Sequence, residues 1–199
     1  MSDIKGWIGH VLDLFGIMKL DFKNPRSYTK FRVIRSLKGK SKSKIFIEAG
    51  TYFGVTAERC SRIFDQVYTI ELNQTLAQKA ADFLKPKNNI TVMTGDALKV
   101  LPQLLKRSEI QDVFIYLDGH VCGPATSSSN FPEPAVEELA ALSPYQEKIN
   151  AIVVDDFRNF GLEKNFPAKS ALIKSAEDHF SSGHFDISVQ WDQLVILRK

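Results

Sequence analysis

Ile45-Phe46-Ile47-Glu48-Ala49-Gly50-Thr51-Tyr52-Phe53-Gly54 sets the class of fold to expect. A short apolar run leads through a glycine turn toward a helix expected near 55–64, the pattern of a buried strand feeding a helix. In open α/β sheets, ligands bind beyond the carboxyl ends of the strands. Gly50 and Gly54 let the backbone pass close to such a ligand. The spacing is G-x-x-x-G, not the G-x-G-x-x-G of dinucleotide binders. Tyr52 and Phe53 stand where a pyrophosphate would need bare backbone, and Glu48 would repel phosphates. Glu48 instead favours a cationic ligand, such as one carrying an ammonium or sulfonium group.

Outward from this turn the chain alternates. Apolar runs at Ile45–Ile47, Val67–Ile70, Ile90–Met93, Val113–Leu117 and Ala151–Val154 read as buried strands. Helical stretches are expected near 55–64, 74–84, 97–107 and 133–142. Strands alternating with helices predict a parallel sheet with right-handed crossovers. After a further helix near 168–180, Phe185–Val189 and Leu194–Leu197 are separated only by Gln190-Trp191-Asp192-Gln193, too short for anything but an antiparallel hairpin. The expected fold is α/β: a Rossmann-like seven-stranded sheet, mostly parallel, with a C-terminal antiparallel hairpin and helices on both faces.

Glu71 ends the second strand 21 residues after Gly50. An acid at that distance is placed to accept hydrogen bonds from ribose hydroxyls. Asp96, after the third strand, can accept from an exocyclic adenine amine or cap the next helix, and the two roles are compatible.

Here the chain resembles the class I S-adenosylmethionine-dependent methyltransferases, over residues 44–199. Their E-x-G-x-x-x-G stands as Glu48 to Gly54, the ribose-binding acid as Glu71 and the adenine-side acid as Asp96. The resemblance implies a transferase that holds S-adenosylmethionine with Glu48, Gly50, Thr51, Tyr52, Gly54, Glu71, Leu72, Asp96, Ala97 and Asp118.

Val113–Leu117 runs into Asp118-Gly119-His120, and Ala151–Val154 runs into Asp155-Asp156. Consecutive parallel strands are usually neighbours, so the three aspartates are expected at one rim. Carboxylates so grouped repel one another without a cation between them, and hard oxygen ligands suit Mg²⁺ or Ca²⁺. Asp118, Asp155 and Asp156 are therefore the candidate metal ligands, with a metal there able to orient a substrate hydroxyl and lower its pKa. This pattern is similar to metal-dependent O-methyltransferases of the macrocin and catechol types. Leu117-Asp118-Gly119-His120 and Val153-Val154-Asp155-Asp156-Phe157 match the L-D-G-D and I-V-D-D-Y stretches of the macrocin type, with His120 replacing the second acid. Val121 stands where the catechol type carries a lysine base. Asp118 and His120 are then the candidate catalytic residues, since imidazole can take a hydroxyl proton near neutral pH. The resemblance implies O-methylation of a small hydroxylated acceptor, sugar-like or a natural product, with possible Mg²⁺ assistance.

The 199 residues, 44% apolar and 25% charged, suit one soluble globular domain that needs no staples. Cys60 and Cys122 fall in different expected elements, which fits a reducing, cytoplasmic setting rather than a disulfide scaffold. Neither an 18-residue apolar run nor a signal-peptide pattern is present. The absence of an Asn/Asp-Pro-Pro-Tyr/Phe stretch after the fourth strand argues against base amino-methylation. Arg158 and Asn159 are placed to meet an oxygen-rich substrate or, by the plainer reading, solvent. His10, His179 and His184 read as structural or solvated.

The net charge of +3 hides a division. Eight of the 26 basic residues lie between Arg26 and Lys44 with no acid among them, so the rest of the chain carries 18 basic against 23 acidic residues. Residues 1–43 are read as a helical extension and basic linker, and 44–199 as the methyltransferase domain. An amphipathic helix is expected over 3–20 from Ile4, Trp7, Ile8, Val11, Leu12, Phe15 and Met18, and a second over Ser27–Leu37, with 38–44 as a solvated linker. These helices would cover the substrate and could pair copies of the chain as a homo-oligomer. The alternative function is a nucleic-acid-binding protein or RNA methyltransferase that uses 26–44 as its contact, although a charge run is usually a solvated face.

Overall fold

Strand order decides which chain ends meet, and here it runs β3-β2-β1-β4-β5-β7-β6. The computed structural model describes residues 3–18, 26–119, 133–164, 166–180 and 183–199. The strands are β1 (Ile45–Ala49), β2 (Gln66–Glu71), β3 (Ile90–Thr94), β4 (Val113–Leu117), β5 (Ile149–Val154), β6 (Phe185–Gln190) and β7 (Gln193–Arg198). The first five are parallel; β7 runs antiparallel between β5 and β6. The order turns around between β1 and β4, which is where ligand crevices open in such sheets.

The helices are α1 (Asp3–Met18), α2 (Ser27–Ser41), α3 (Val55–Cys60), α4 (Gln74–Leu84), α5 (Ala97–Leu105), α6 (Ala135–Leu142) and α7 (Lys169–Phe180). Side chains alternate across each strand, and the sheet therefore divides two cores. Ile47, Ile115, Leu117, Ile152 and Val154 pack against α5, α6 and α7. Phe46, Phe114, Tyr116, Ala151 and Val153 pack against α2, α3 and α4. Each fully buried aliphatic or aromatic side chain contributes about 1.5–3 kcal/mol relative to exposure.

The expected hairpin forms with a tighter turn than the sequence suggested. Its strands extend to Gln190 and Gln193, leaving only Trp191 and Asp192 as the loop. Both have positive φ, 53° and 66°, as a type I′ turn requires to match strand twist.

The N-terminal part departs from expectation. Helix α2 runs through Gly39 to Ser41 and ends at Lys42 in the left-handed conformation, so most of the stretch read as a linker is helical. Burial of Phe31, Ile34 and Leu37 against the sheet offsets the cost of an internal glycine, about 1 kcal/mol. Helix α1 lies on α2 through its polar side. His10 Nδ1 bonds Thr29 Oγ1 at 3.0 Å, Asp13 pairs with Arg26, and the Arg32 guanidinium sits 4.5 Å above the Trp7 ring. Its apolar residues Ile4, Ile8, Val11, Leu12 and Phe15 face outward. Among the described residues, no helix is long and apolar enough to cross a membrane.

Candidate functional site

The turn after β1 is closed by backbone contacts. Gly50 N and Thr51 N both donate to Ile70 O, at 2.9 and 3.2 Å, and Asp118 N donates to Ala49 O at 2.9 Å. Gly50 has φ +96°, and a Cβ built there would lie 2.0 Å from the Asp118 carbonyl oxygen. Glycine is thus demanded twice, by conformation and by the approach of the β4 end. Gly54, at φ +75°, starts α3.

Glu71 grips this turn. Its Oε2 accepts from Tyr52 N at 2.9 Å and its Oε1 from Asn73 N at 3.0 Å. A carboxylate has about four acceptor positions, so capacity remains for ribose hydroxyls. Leu72 follows directly, and Tyr52 and Phe53 stand about half exposed above the turn. Asp96 caps α5 by accepting from Leu98 N at 3.1 Å, with Ala97 as the first helical residue.

Glu48 lies inside, 1% exposed. Its Oε2 accepts from Thr69 Oγ1 at 2.6 Å, and Thr69 in turn bonds Thr51 at 2.6 Å. Burial pushes its carboxyl up to about 8, and the negative charge of Glu71 adds to that. The uncharged form is therefore the resting one near neutrality. Glu48 ties the strand to the turn, and a nearby cation would favour its charged form.

The ends of β4 and β5 are adjacent, and the three expected aspartates do meet at one rim. Asp118 lines a cavity of about 320 Å³ together with Asp155, Tyr116 and Thr56. Its carboxyl titrates well above the usual range, through burial first and then the neighbouring charges of Asp155, Asp156 and Glu48, with Lys30 opposing. Asp155 is also raised, chiefly by burial.

A lysine from the basic run of α2 completes the rim. Lys30 Nζ lies 2.8 Å from Asp155 Oδ2 and also bonds Asp156 Oδ1. Burial acts to lower the Lys30 pKa, but Asp155 and Asp156 more than reverse it, and the net shift is upward. Asp155 accepts further from Tyr116 OH at 2.6 Å and Gln193 Nε2 at 3.3 Å. Asp156 accepts from Arg158 Nη1 at 2.9 Å, and Arg158 is shared with Asp192. Arg158 is thus held by the protein rather than free for substrate. The uneven charge distribution shows that the strand-end acids want a base, but does not single out Lys30 among the eight basic residues of 26–44.

Asp118, Asp155 and Asp156 were also the expected metal ligands. The donor set present does not fit a divalent ion. Mg²⁺ needs near-octahedral oxygens at about 2.0–2.1 Å, whereas Asp155 Oδ2 and Asp156 Oδ1 already converge on an ammonium. Among the described residues, no group of three or more His, Cys, Asp or Glu side chains is arranged to hold a metal. His120, Cys122 and most of the loop from Val121 to Pro134 lie outside the described residues.

No protein-family model matches the chain. The catechol O-methyltransferase of Sus scrofa is 27% identical over 96 residues, 45% of this chain and 52% of that protein, so the chain spans about half the length of this relative. The O-methyltransferase from Bacillus cereus, solved in complex with SAH, superposes with a TM-score of 0.63 at 18% identity, covering 95% of this chain and 89% of that one. The O-methyltransferase TomG from Streptomyces achromogenes, involved in tomaymycin synthesis and solved with SAM, gives a TM-score of 0.62 at 17% identity, covering 88% and 82%. The chain has the Rossmann-like methyltransferase fold.

Proposed function

We propose that this chain transfers the methyl group of S-adenosylmethionine to a hydroxyl of a small hydroxylated acceptor, sugar-like or a natural product. The observation that carries this reading is the packing of the Gly50 turn directly onto Asp118, which lines the cavity. Cofactor turn and acceptor space therefore adjoin. In support, the half-length relative and both solved structures described above are O-methyltransferases.

The backbone of Gly50, Thr51, Tyr52 and Gly54 would embrace the methionine part of the cofactor. Glu71 and Leu72 would take the ribose, and Asp96 and Ala97 the adenine. Glu48, beneath the turn, would be drawn toward its charged form by the sulfonium. As the acceptor oxygen bonds the methyl carbon, the carbon–sulfur bond breaks and the sulfonium becomes a thioether. Asp118 is the base for the acceptor proton in this reading, with His120 the second candidate. Holding the two reactants in line supplies most of the acceleration. At about 320 Å³ the cavity is at the small end of ligand pockets, which suits a single-ring acceptor.

Magnesium assistance is disfavoured, because both Asp155 oxygens and Asp156 Oδ1 already accept from Lys30, Tyr116, Gln193 and Arg158. The nucleic-acid alternative gains no support, since Lys30 points into the rim and Arg26 pairs with Asp13.

The test is transfer from methyl-labelled S-adenosylmethionine to a panel of sugars, glycosides and catechols. Label on oxygen that disappears in Asp118→Asn supports the proposal. Label only on nitrogen or nucleic acid contradicts it.

A further inference from the structure

We infer that the Lys30 ammonium is the resident cation of the acceptor site, occupying the place between Asp155 and Asp156 that a divalent ion would need. The inference rests on the O-methyl-transfer reading and names the group that receives the acceptor oxygen.

Helix packing fixes this position. Phe31 and Ile34 are buried in the core beneath α2 and line the same cavity as Lys30, so the lysine stem enters from an anchored helix. Its side chain is only 12% exposed. The ammonium has three donors. Asp155 Oδ2 takes one at 2.8 Å and Asp156 Oδ1 another, which leaves one for the cavity that Lys30 lines. The acids are themselves held: Asp155 by Tyr116 and Gln193, Asp156 by Arg158.

The chemistry needs a cation there. When the acceptor hydroxyl gives its proton to Asp118, negative charge develops on oxygen until the oxygen–methyl bond forms and the sulfur–methyl bond breaks. A fixed N–H donor aimed at that oxygen favours the charge at the moment it appears. The ammonium does this without exchangeable ligands, and its own charge balances the carboxylates that would otherwise attract a metal.

Mn²⁺ titration followed by electron paramagnetic resonance tests the inference on the whole chain. Wild type is expected to leave Mn²⁺ free, whereas Lys30→Ala, with its rim acids released, is expected to bind it at least tenfold more tightly. Methyl transfer by wild type should survive exhaustive chelation. Lys30→Met should lose about 100-fold or more in kcat with S-adenosylmethionine affinity within about twofold of wild type, and Lys30→Arg should recover part of that loss. A saturable Mn²⁺ site in wild type that vanishes in Asp155→Asn overturns the inference, and this measurement needs no lysine variant to fold. Full kcat in Lys30→Met overturns it as well. Failure of wild type to bind S-adenosylmethionine would sink the underlying reading instead, leaving the Mn²⁺ comparison to decide the cation's place.

Discussion

A Cβ on Gly50 would stand 2.0 Å from the carbonyl oxygen of Asp118. That contact joins the glycine turn after β1 to the end of β4, so one methyl group there should disturb both the cofactor and the acceptor positions proposed above. Gly50→Ala must separate the two chain ends and also adopt φ +96° with a side chain. We expect a loss of about 3 kcal/mol of stability and of measurable cofactor binding. Thermal unfolding together with calorimetry checks it. A variant as stable as wild type would show that the turn is not closed in this way.

Glu71 accepts two backbone amides, from Tyr52 and Asn73, and is proposed to take the ribose. Glu71→Gln keeps the shape but loses the charge and half of the acceptor capacity. Charge-assisted hydrogen bonds are worth about 1.5–3 kcal/mol, so S-adenosylmethionine affinity should fall roughly tenfold to 100-fold. A change within about twofold would remove Glu71 from the site.

Glu48 predicts the pH dependence of stability. Its ordinary value is 4.5, and burial raises it to about 8 in the folded protein. Below the lower value both states hold the proton. Between the two, the native state keeps a proton that the unfolded chain has released, so stability falls as pH rises and the loss is complete above about 8. Glu48→Gln removes this slope. The variant should gain on wild type across that window, by on the order of 5 kcal/mol at its upper end. Parallel unfolding curves for the two proteins at every pH would show that Glu48 is not buried as described.

Removing Lys30 leaves Asp155 and Asp156 without their shared counter-charge. Lys30→Met should cost about 3–5 kcal/mol, the usual result of breaking a buried pair from one side. Adding Asp155→Asn should restore part of it. Strict additivity of the two losses in denaturant unfolding would argue that the residues do not interact.

The gathering of the candidate site residues at one edge was legible in the sequence because they sit at ends of strands. Glu48, Gly50, Glu71, Asp96, Asp118 and Asp155 each follow an apolar run, and a parallel sheet brings such ends to one edge whatever the helices do. Lys30 was not legible as a partner. It is 125 residues from Asp155, and only the angle at which α2 crosses the sheet decides which of eight basic residues turns inward. The outward face of α1 was hidden for a related reason. Apolar spacing marks a face, but here His10 and Asp13 bond Thr29 and Arg26, and of the apolar set Trp7 sits beneath Arg32 at the edge, so the polar side docks. The helical extent of α2 was missed because Gly39 reads as a breaker, while Leu37 and Ile34 are anchored by a core that local sequence does not display.

Calorimetric titration of the intact chain with S-adenosylmethionine decides whether the Gly50 turn is a cofactor site. We expect a single site with a dissociation constant of about 1 μM to 1 mM, the range of ordinary enzyme substrates, weakened in Glu71→Gln and unaffected by chelator. No heat and no thermal shift at saturating S-adenosylmethionine would contradict it.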